Sequence, residues 1–193
     1  MEKIVPVSFK LFSTSPILFN RRSFMIDIER DPSLTKQKGE DGYSHQMRIY
    51  KLKCEYNLAG NIIISAAHIK KAMSYSQGQN CHPIRPKGVS KRNATLSRIL
   101  PAVFVDDVVT KYTEADLGHF DSMVCISTGM KKSSVVNVRP QLSKWEAELT
   151  MTIASDLIGR EEILDMLQWC GTFCGLGDWR PERGGNFGRF DVK

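Results

Sequence analysis

The chain has 193 residues, 41% hydrophobic and 25% charged, with a net charge of +6 and a pI near 9.1. A chain this long buries a core without staples, and no apolar run nears the roughly 18 residues a membrane span needs. The positive excess favours an acidic partner.

In chain order, Lys3 to Thr14 puts Val5, Val7, Phe9 and Leu11 on one parity, which predicts a strand, with Pro6 at its edge-like start. Ser15-Pro16 turns into Ile17-Leu18-Phe19, a strand end with the basic exit Arg21-Arg22. Asp27 to Ser44 is polar and glycine-containing and reads as a loop. Met47 to Tyr56 alternates and is expected to form a strand, returning through the turn Ala59-Gly60-Asn61 into Ile62-Ile63-Ile64. Ser65 is the expected N-cap of a helix over Ala66–Tyr75, with Ile69, Ala72 and Met73 at helical spacing. Gly78 to Ser97 is a second, basic loop. Ala102–Val105 reads as a strand core ended by Asp106-Asp107.

A further strand is expected over Phe120–Ser127, a turn over Gly129–Ser134, and a strand Val135–Val138 broken by Arg139-Pro140. Trp145, Ala147, Leu149, Met151 and Ile153 alternate most cleanly of all. A last helix starts near Ser155 or Arg160, with the stripe Ile163, Leu164, Leu167, Cys170 and with Trp169 beside it in the core. Two strand–helix–strand units predict an α+β fold: a ferredoxin-like, RRM-like antiparallel sheet with helices on one face. The whole chain, 1–193, reads as a single domain with polar insertions at about 27–46 and 78–98.

Charge is distributed in blocks. No acid lies between Glu55 and Asp106, where Lys70, Lys71, Arg85, Lys87, Lys91, Arg92 and Arg98 fall. None lies from Ser122 to Trp145 either, where Lys131, Lys132, Arg139 and Lys144 fall. Such blocks fit a nucleic-acid footprint, and equally a set of solvated loops. The five cysteines are scattered, and no signal peptide is apparent, so free thiols in a reducing cytoplasm are expected. Cys170 and Cys174 share a helix face and read as buried small residues; no metal and no cofactor is expected. Walker-type, Gly-x-Ser-x-Gly and His-Glu-x-x-His motifs are absent.

The stretch Gly175–Phe190 holds Gly175, Gly177, Gly184, Gly185 and Gly188, three arginines, Trp179 and Phe187. Glycine admits close backbone approach, arginine forks match phosphate, and an aromatic ring offers a face to a base. A turn that merely closes a sheet would use the same glycines. Together with Ser15-Pro16-Ile17-Leu18 and Ile63–Ala72, this loop resembles the RAMP superfamily, the RRM-like backbone proteins of CRISPR effector complexes. The length and the Gly-Asp-Trp-Arg-Pro run are similar to small stand-alone RAMP-like proteins of bacteriophages.

The resemblance implies a non-catalytic binder of single-stranded RNA or DNA in the bacterial host cytoplasm. It also implies self-association along the strand, and a possible place in, or mimicry of a subunit of, a CRISPR effector complex. Lys70 and Lys71 would lie near the bound backbone, joined by Arg180, Arg183 and Arg189 from the loop. Trp179 or Phe187 would stack on a base or pack the loop. The basic residues Arg85, Lys87, Lys91, Arg92, Lys131 and Lys132 complete the expected contact set. Some family members cleave RNA without metal, which makes His68 the one weak catalytic candidate.

Overall fold

The computed structural model describes residues 4–21, 23–74, 102–128 and 131–193. The central strand β1 (Ile4–Ser13) buries Phe9 and Leu11 and exposes Ser8 and Lys10, as the alternation requires. It pairs antiparallel with β8 (Glu146–Ala154), setting Phe9 opposite Leu149 and Leu11 opposite Ala147. On its other side it pairs with β9 (Phe190–Val192), but only over Leu11–Ser13. Pro6 therefore sits where β1 has one partner, and its missing N–H breaks no ladder among the described residues. The strand β4 (Val103–Val105) completes the sheet on the far side of β8.

The helices α3 (Ala66–Ser74) and α4 (Arg160–Phe173) cover one face. Ile69, Ala72 and Met73 of the first and Ile163, Met166, Leu167 and Cys170 of the second join Phe9, Leu11, Leu149 and Met151 in one core. Trp169 packs against that core while remaining partly exposed. Gly159 caps α4, so the later of the two expected starts is the observed one. Without its excursions the chain runs β1-α3-β4-β8-α4-β9, and the sheet order β4-β8-β1-β9 is antiparallel throughout. That is the ferredoxin-like double βαβ expected from the sequence.

Two excursions leave this frame. Between β1 and α3 come β2 (Ile17–Leu18), α1 (Phe24–Arg30), α2 (Gly42–Ile49) and β3 (Asn61–Ile64). Between β4 and β8 come β5 (Val108–Thr113), β6 (Gly118–Thr128) and β7 (Lys131–Leu142). The strands β2, β7 and β6 form a second sheet, and β3 pairs with β5. No helix among the described residues is long and apolar enough to cross a membrane.

Three expectations are corrected. The stretch 47–56 is not a strand: α2 runs to Ile49 and a 3-10 turn covers Tyr50–Lys53, with a lone bridge from Tyr56 to Ile62. The inward residues Ile49, Tyr50, Lys53 and Cys54 are spaced helically, and a buried lysine disguised that pattern as alternation. Residues 27–44 are not irregular. They hold the end of α1, a 3-10 turn Pro32–Leu34 and the start of α2, where the Asp41 carboxylate accepts from the Tyr43 and Ser44 amides. Arg48 pins this segment, donating to the Ser33 and Thr35 carbonyls and to Glu40. Third, β7 runs straight through Arg139-Pro140. The Pro140 carbonyl accepts from Phe19 just past β2, so its nitrogen faces a side where the ladder has already ended. Residues 78–98 and Gly129-Met130 lie outside the described residues, and the rest of the turn expected over Gly129–Ser134 is the start of β7.

Candidate nucleic-acid interface

The loop after α4 is laid on its own backbone. At Gly177 a Cβ would stand 2.3 Å from the Leu18 carbonyl oxygen, and the next amide, Asp178, donates to that oxygen at 2.8 Å. At Gly188 (φ +70°) a Cβ would meet the Leu176 oxygen at 1.8 Å. The Leu176 amide donates to the Gly188 carbonyl at 2.9 Å, and the Gly188 amide to Pro16 at 2.7 Å. Gly185 is shut in likewise by the Trp179 carbonyl, and Gly175 by Pro181 and Phe187, whereas Gly184 faces open space. The tight approaches are thus of chain to chain, and they fasten the loop beside β2.

Its side chains divide into held and presented. Arg180 donates to Glu182 Oε2 at 3.0 Å and to the Gly177 carbonyl at 2.8 Å. The Glu182 side chain is 1% exposed, and its Oε1 makes no hydrogen bond. Arg183 reaches that carboxylate only at 3.9 Å and is 54% exposed. Arg189 is exposed, and its amide donates to Ser15 Oγ at the other end of the loop.

Trp179 is the one non-glycine residue among those described with a positive φ, 47°. That conformation costs about 1–2 kcal/mol for a residue with a Cβ. Contacts from the β6–β7 hairpin compensate. The Arg139 guanidinium lies 4.9 Å from the ring centroid, and Phe120 packs edge-on at 5.5 Å. Phe187 packs on Phe120 at 4.8 Å. Arg139 is itself buried, donating to Asp178 Oδ2 at 2.6 Å and to Ser122 Oγ at 2.5 Å.

Facing the loop across a cleft of about 690 Å³ are the end of β3 and the first turns of α3. Ser65 Oγ accepts from the Ala67 amide, and Asp107 accepts from the Ala66 amide at 2.7 Å. His68 and Lys71 are exposed on the cleft side of this helix. Arg21, Lys53, Arg180, Arg183 and Trp179 also line the cleft, as do the carboxylates Glu55 and Asp178.

Lys53 is 4% exposed. Its ammonium donates to Gln46 Oε1, Asn137 Oδ1 and the Val138 carbonyl at 2.6, 2.7 and 2.6 Å. Burial, aided by the charge of Arg139 and partly offset by Asp178, lowers its pKa from 10.5 to about 8.

Of the residues singled out in the sequence, the cleft brings together His68, Lys71, Trp179, Arg180 and Arg183. Lys70 lies instead over the Phe104 ring of β4 at 5.7 Å. Phe187 packs on Phe120, and Arg189 lies apart. Lys131 and Lys132 open β7 opposite Thr128 and Ser127. Arg85, Lys87, Arg92 and Lys91 lie outside the described residues.

Sequence reasoning missed Lys53 and Arg21 as parts of this wall, and Arg139 as the residue packed on the Trp179 ring. The only signal for Arg139 was its place in an acid-free block, and Lys53 carried none. The outer face of the main sheet is a poorer surface for a polyanion. It presents Glu146 and Glu148 beside Lys10, and Lys111 pairs with Glu146. Among the described residues no group of three or more His, Cys, Asp or Glu side chains converges on a common point.

No protein-family model matches the chain, and no curated protein matches it by sequence. Solved structures do. A chain in the cryo-EM structure of the Type III-B Cmr-beta bound to cognate target RNA aligns over 99% of this chain, with 13% identity and a TM-score of 0.52. This chain spans 59% of that chain's length. The crystal structure of Cmr6 from Pyrococcus furiosus aligns over 100% of both chains, with 10% identity and a TM-score of 0.49. The first of these likenesses shows the fold: the chain shares its α+β architecture with a chain of that Type III-B Cmr-beta structure.

Proposed function

We propose that the chain binds single-stranded nucleic acid, RNA foremost, along the cleft between the glycine loop and α3. One observation carries this reading. Arg21, Lys53, Lys71, Arg180 and Arg183 line that cleft against Glu55 and Asp178; Arg21 pairs with Asp27, Arg180 with Glu182 and Asp178 with Arg139, and Lys71 and Arg183 are exposed. A groove with an excess of positive charge concentrates a polyanion. The half-buried Trp179 favours an unpaired strand, whose bases are free to stack on a ring, over a duplex, whose bases are hidden. The fold supports RNA in particular, since it occurs in a complex described as bound to target RNA.

Arg183 and Lys71 are the exposed phosphate partners in this reading. Arg180 acts at one remove, by holding the loop. His68 lines the same cleft, which makes RNA cleavage the second reading. Transesterification calls for a paired base and acid, and His68 is the only imidazole lining the cleft among the described residues, so binding without cleavage is the reading preferred here. Several copies along one strand, within or beside a CRISPR effector assembly, extend the same proposal.

The test is an anisotropy titration with labelled single-stranded RNA, single-stranded DNA and duplex at two salt concentrations. Single-stranded RNA should bind tightest, with log K falling by about 0.7 per log unit of salt for each phosphate contacted. Arg183→Glu with Lys71→Glu should weaken binding and flatten that slope, while the RNA stays intact on long incubation. Flat titrations with all three ligands would remove the proposal, and loss of intact RNA that depends on His68 would favour the second reading.

A further inference from the structure

Resting on that reading, we propose that Trp179 is a preorganised stacking platform for one unpaired base, and that Arg139 is the residue that positions it. Arg139 was not among the residues expected to contact a ligand, and it is not placed to do so. Its side chain is 5% exposed, and its fork is spent on Asp178 and Ser122. What its guanidinium touches is the Trp179 ring, at 4.9 Å.

Three further observations converge on that ring. Its backbone is held in a left-handed conformation that a tryptophan rarely adopts. Its carbonyl is fixed by the Phe187 amide at 3.2 Å and by Gly185, where any Cβ would collide with it. The residue lines the cleft together with Asp178 and Arg180, while Phe120 supports its ring from β6.

Backbone strain of this kind persists where the surroundings over-determine it, and it clusters at ligand clamps. A ring needed only to fill the core could be placed without it. Here the strained residue lines a cleft rich in cations and is half-buried. The hairpin side of the ring is occupied by an arginine and a phenylalanine. The part that borders the cleft offers an aromatic surface to a base whose phosphates lie against Lys71 and Arg183. The charge on Arg139 is matched by Asp178, so it contributes to affinity through the orientation of the ring rather than through the phosphate backbone. The ligand class follows: a strand with at least one unstacked base, recognised by its π-face and tolerant of base identity.

The experiment uses the full chain and a short labelled oligoadenylate, titrated by anisotropy over a salt series, with circular dichroism melts as the check on folding. Trp179→Gly relieves the strained backbone but gives up the ring's contacts with Arg139 and Phe120, so its melt should remain cooperative at a lower midpoint, and below that midpoint it should bind about tenfold more weakly, the scale of one lost stacked base. Trp179→Phe should recover most of that loss. Arg139→Gln should weaken binding with the salt slope unchanged, and Arg139→Lys, which restores charge without a planar fork, should not rescue it.

Three results overturn the proposal alone. One is parent-like affinity for Trp179→Gly while Arg183→Glu still weakens binding. Another is rescue of Arg139→Gln by Arg139→Lys. The third is a slope shallower by about 0.7 in Arg139→Gln, which would mean that Arg139 meets a phosphate. If Arg139→Gln does not fold, the two Trp179 variants decide the matter. Absence of binding by the parent overturns the proposal together with the reading beneath it.

Discussion

Replacing Gly188 by alanine tests whether the glycine loop is built for its own closure. The new Cβ would stand 1.8 Å from the Leu176 oxygen and 2.7 Å from its carbonyl carbon, both backbone atoms that no rotamer change relieves. A non-glycine residue at φ +70° costs about 1–2 kcal/mol, and forcing the backbones apart adds about 1–3 kcal/mol. Separation also weakens the Leu176–Gly188 and Gly188–Pro16 hydrogen bonds, for roughly 1 kcal/mol more. The sum is about 3–6 kcal/mol, a large share of the roughly 5–15 kcal/mol that holds a domain folded.

For a chain of this size, about 2–4 °C is lost per kcal/mol, so Tm should fall by about 6–24 °C in a circular dichroism melt. Gly184→Ala is the control. Its φ is +79° but a Cβ there meets nothing within 4 Å, so only the conformational cost of about 1–2 kcal/mol applies. If Gly188→Ala melts together with Gly184→Ala, the close approach of the two backbones is not what holds the loop, and the argument fails.

Two further outcomes follow from buried charges. Lys53 has a folded pKa of about 8 against 10.5 in the open chain, so between these values the unfolded state carries the extra proton and stability rises with pH. The gain is present above 10.5 and is lost as pH falls through about 8. The unfolding free energy of the parent minus that of Lys53→Met, from urea titrations, should rise by about 1.4 kcal/mol from pH 7 to pH 9, and a flat difference would contradict the linkage. Glu182→Gln keeps the shape but removes the buried charge that Arg180 donates to, and should cost about 2–4 kcal/mol in a denaturant titration. An unchanged midpoint would mean that the Arg180–Glu182 pair contributes nothing net.

Elements with one buried face were legible in the sequence. In β1 and β8 the period of two is enforced because the opposite face meets solvent, and in α4 the stripe Ile163, Leu167, Cys170 is enforced by the sheet beneath it. The strand–helix–strand order then yields the sheet order. The helices α1 and α2 were not legible, because they are short and each buries a single residue, Phe24 or Ile49. Lysine and arginine are solvated by default, so nothing local marks Lys53 or Arg139 as interior. What buries each of them is a carbonyl or carboxylate tens of residues away. The candidate site divides similarly. His68, Lys71 and the loop residues stood out by composition, whereas the opposite wall at Arg21 and Lys53 is set by the pairing of β2 with β7 and by the 3-10 turn after α2.

The three acceptors around the Lys53 ammonium have a consequence for how the chain folds. They lie 7, 84 and 85 residues from it, and Arg139 reaches Asp178 across another 39. Contacts of such separation must overcome loop-closure entropy before they return any stability, so the groove should be among the last parts of the molecule to assemble. Until then its cations are dispersed over unconnected segments. A strand that binds the finished groove would therefore draw on the free energy of the entire chain, and its occupancy should register as protection of amides remote from the contact surface, out to β7 and the turn at Tyr50–Lys53.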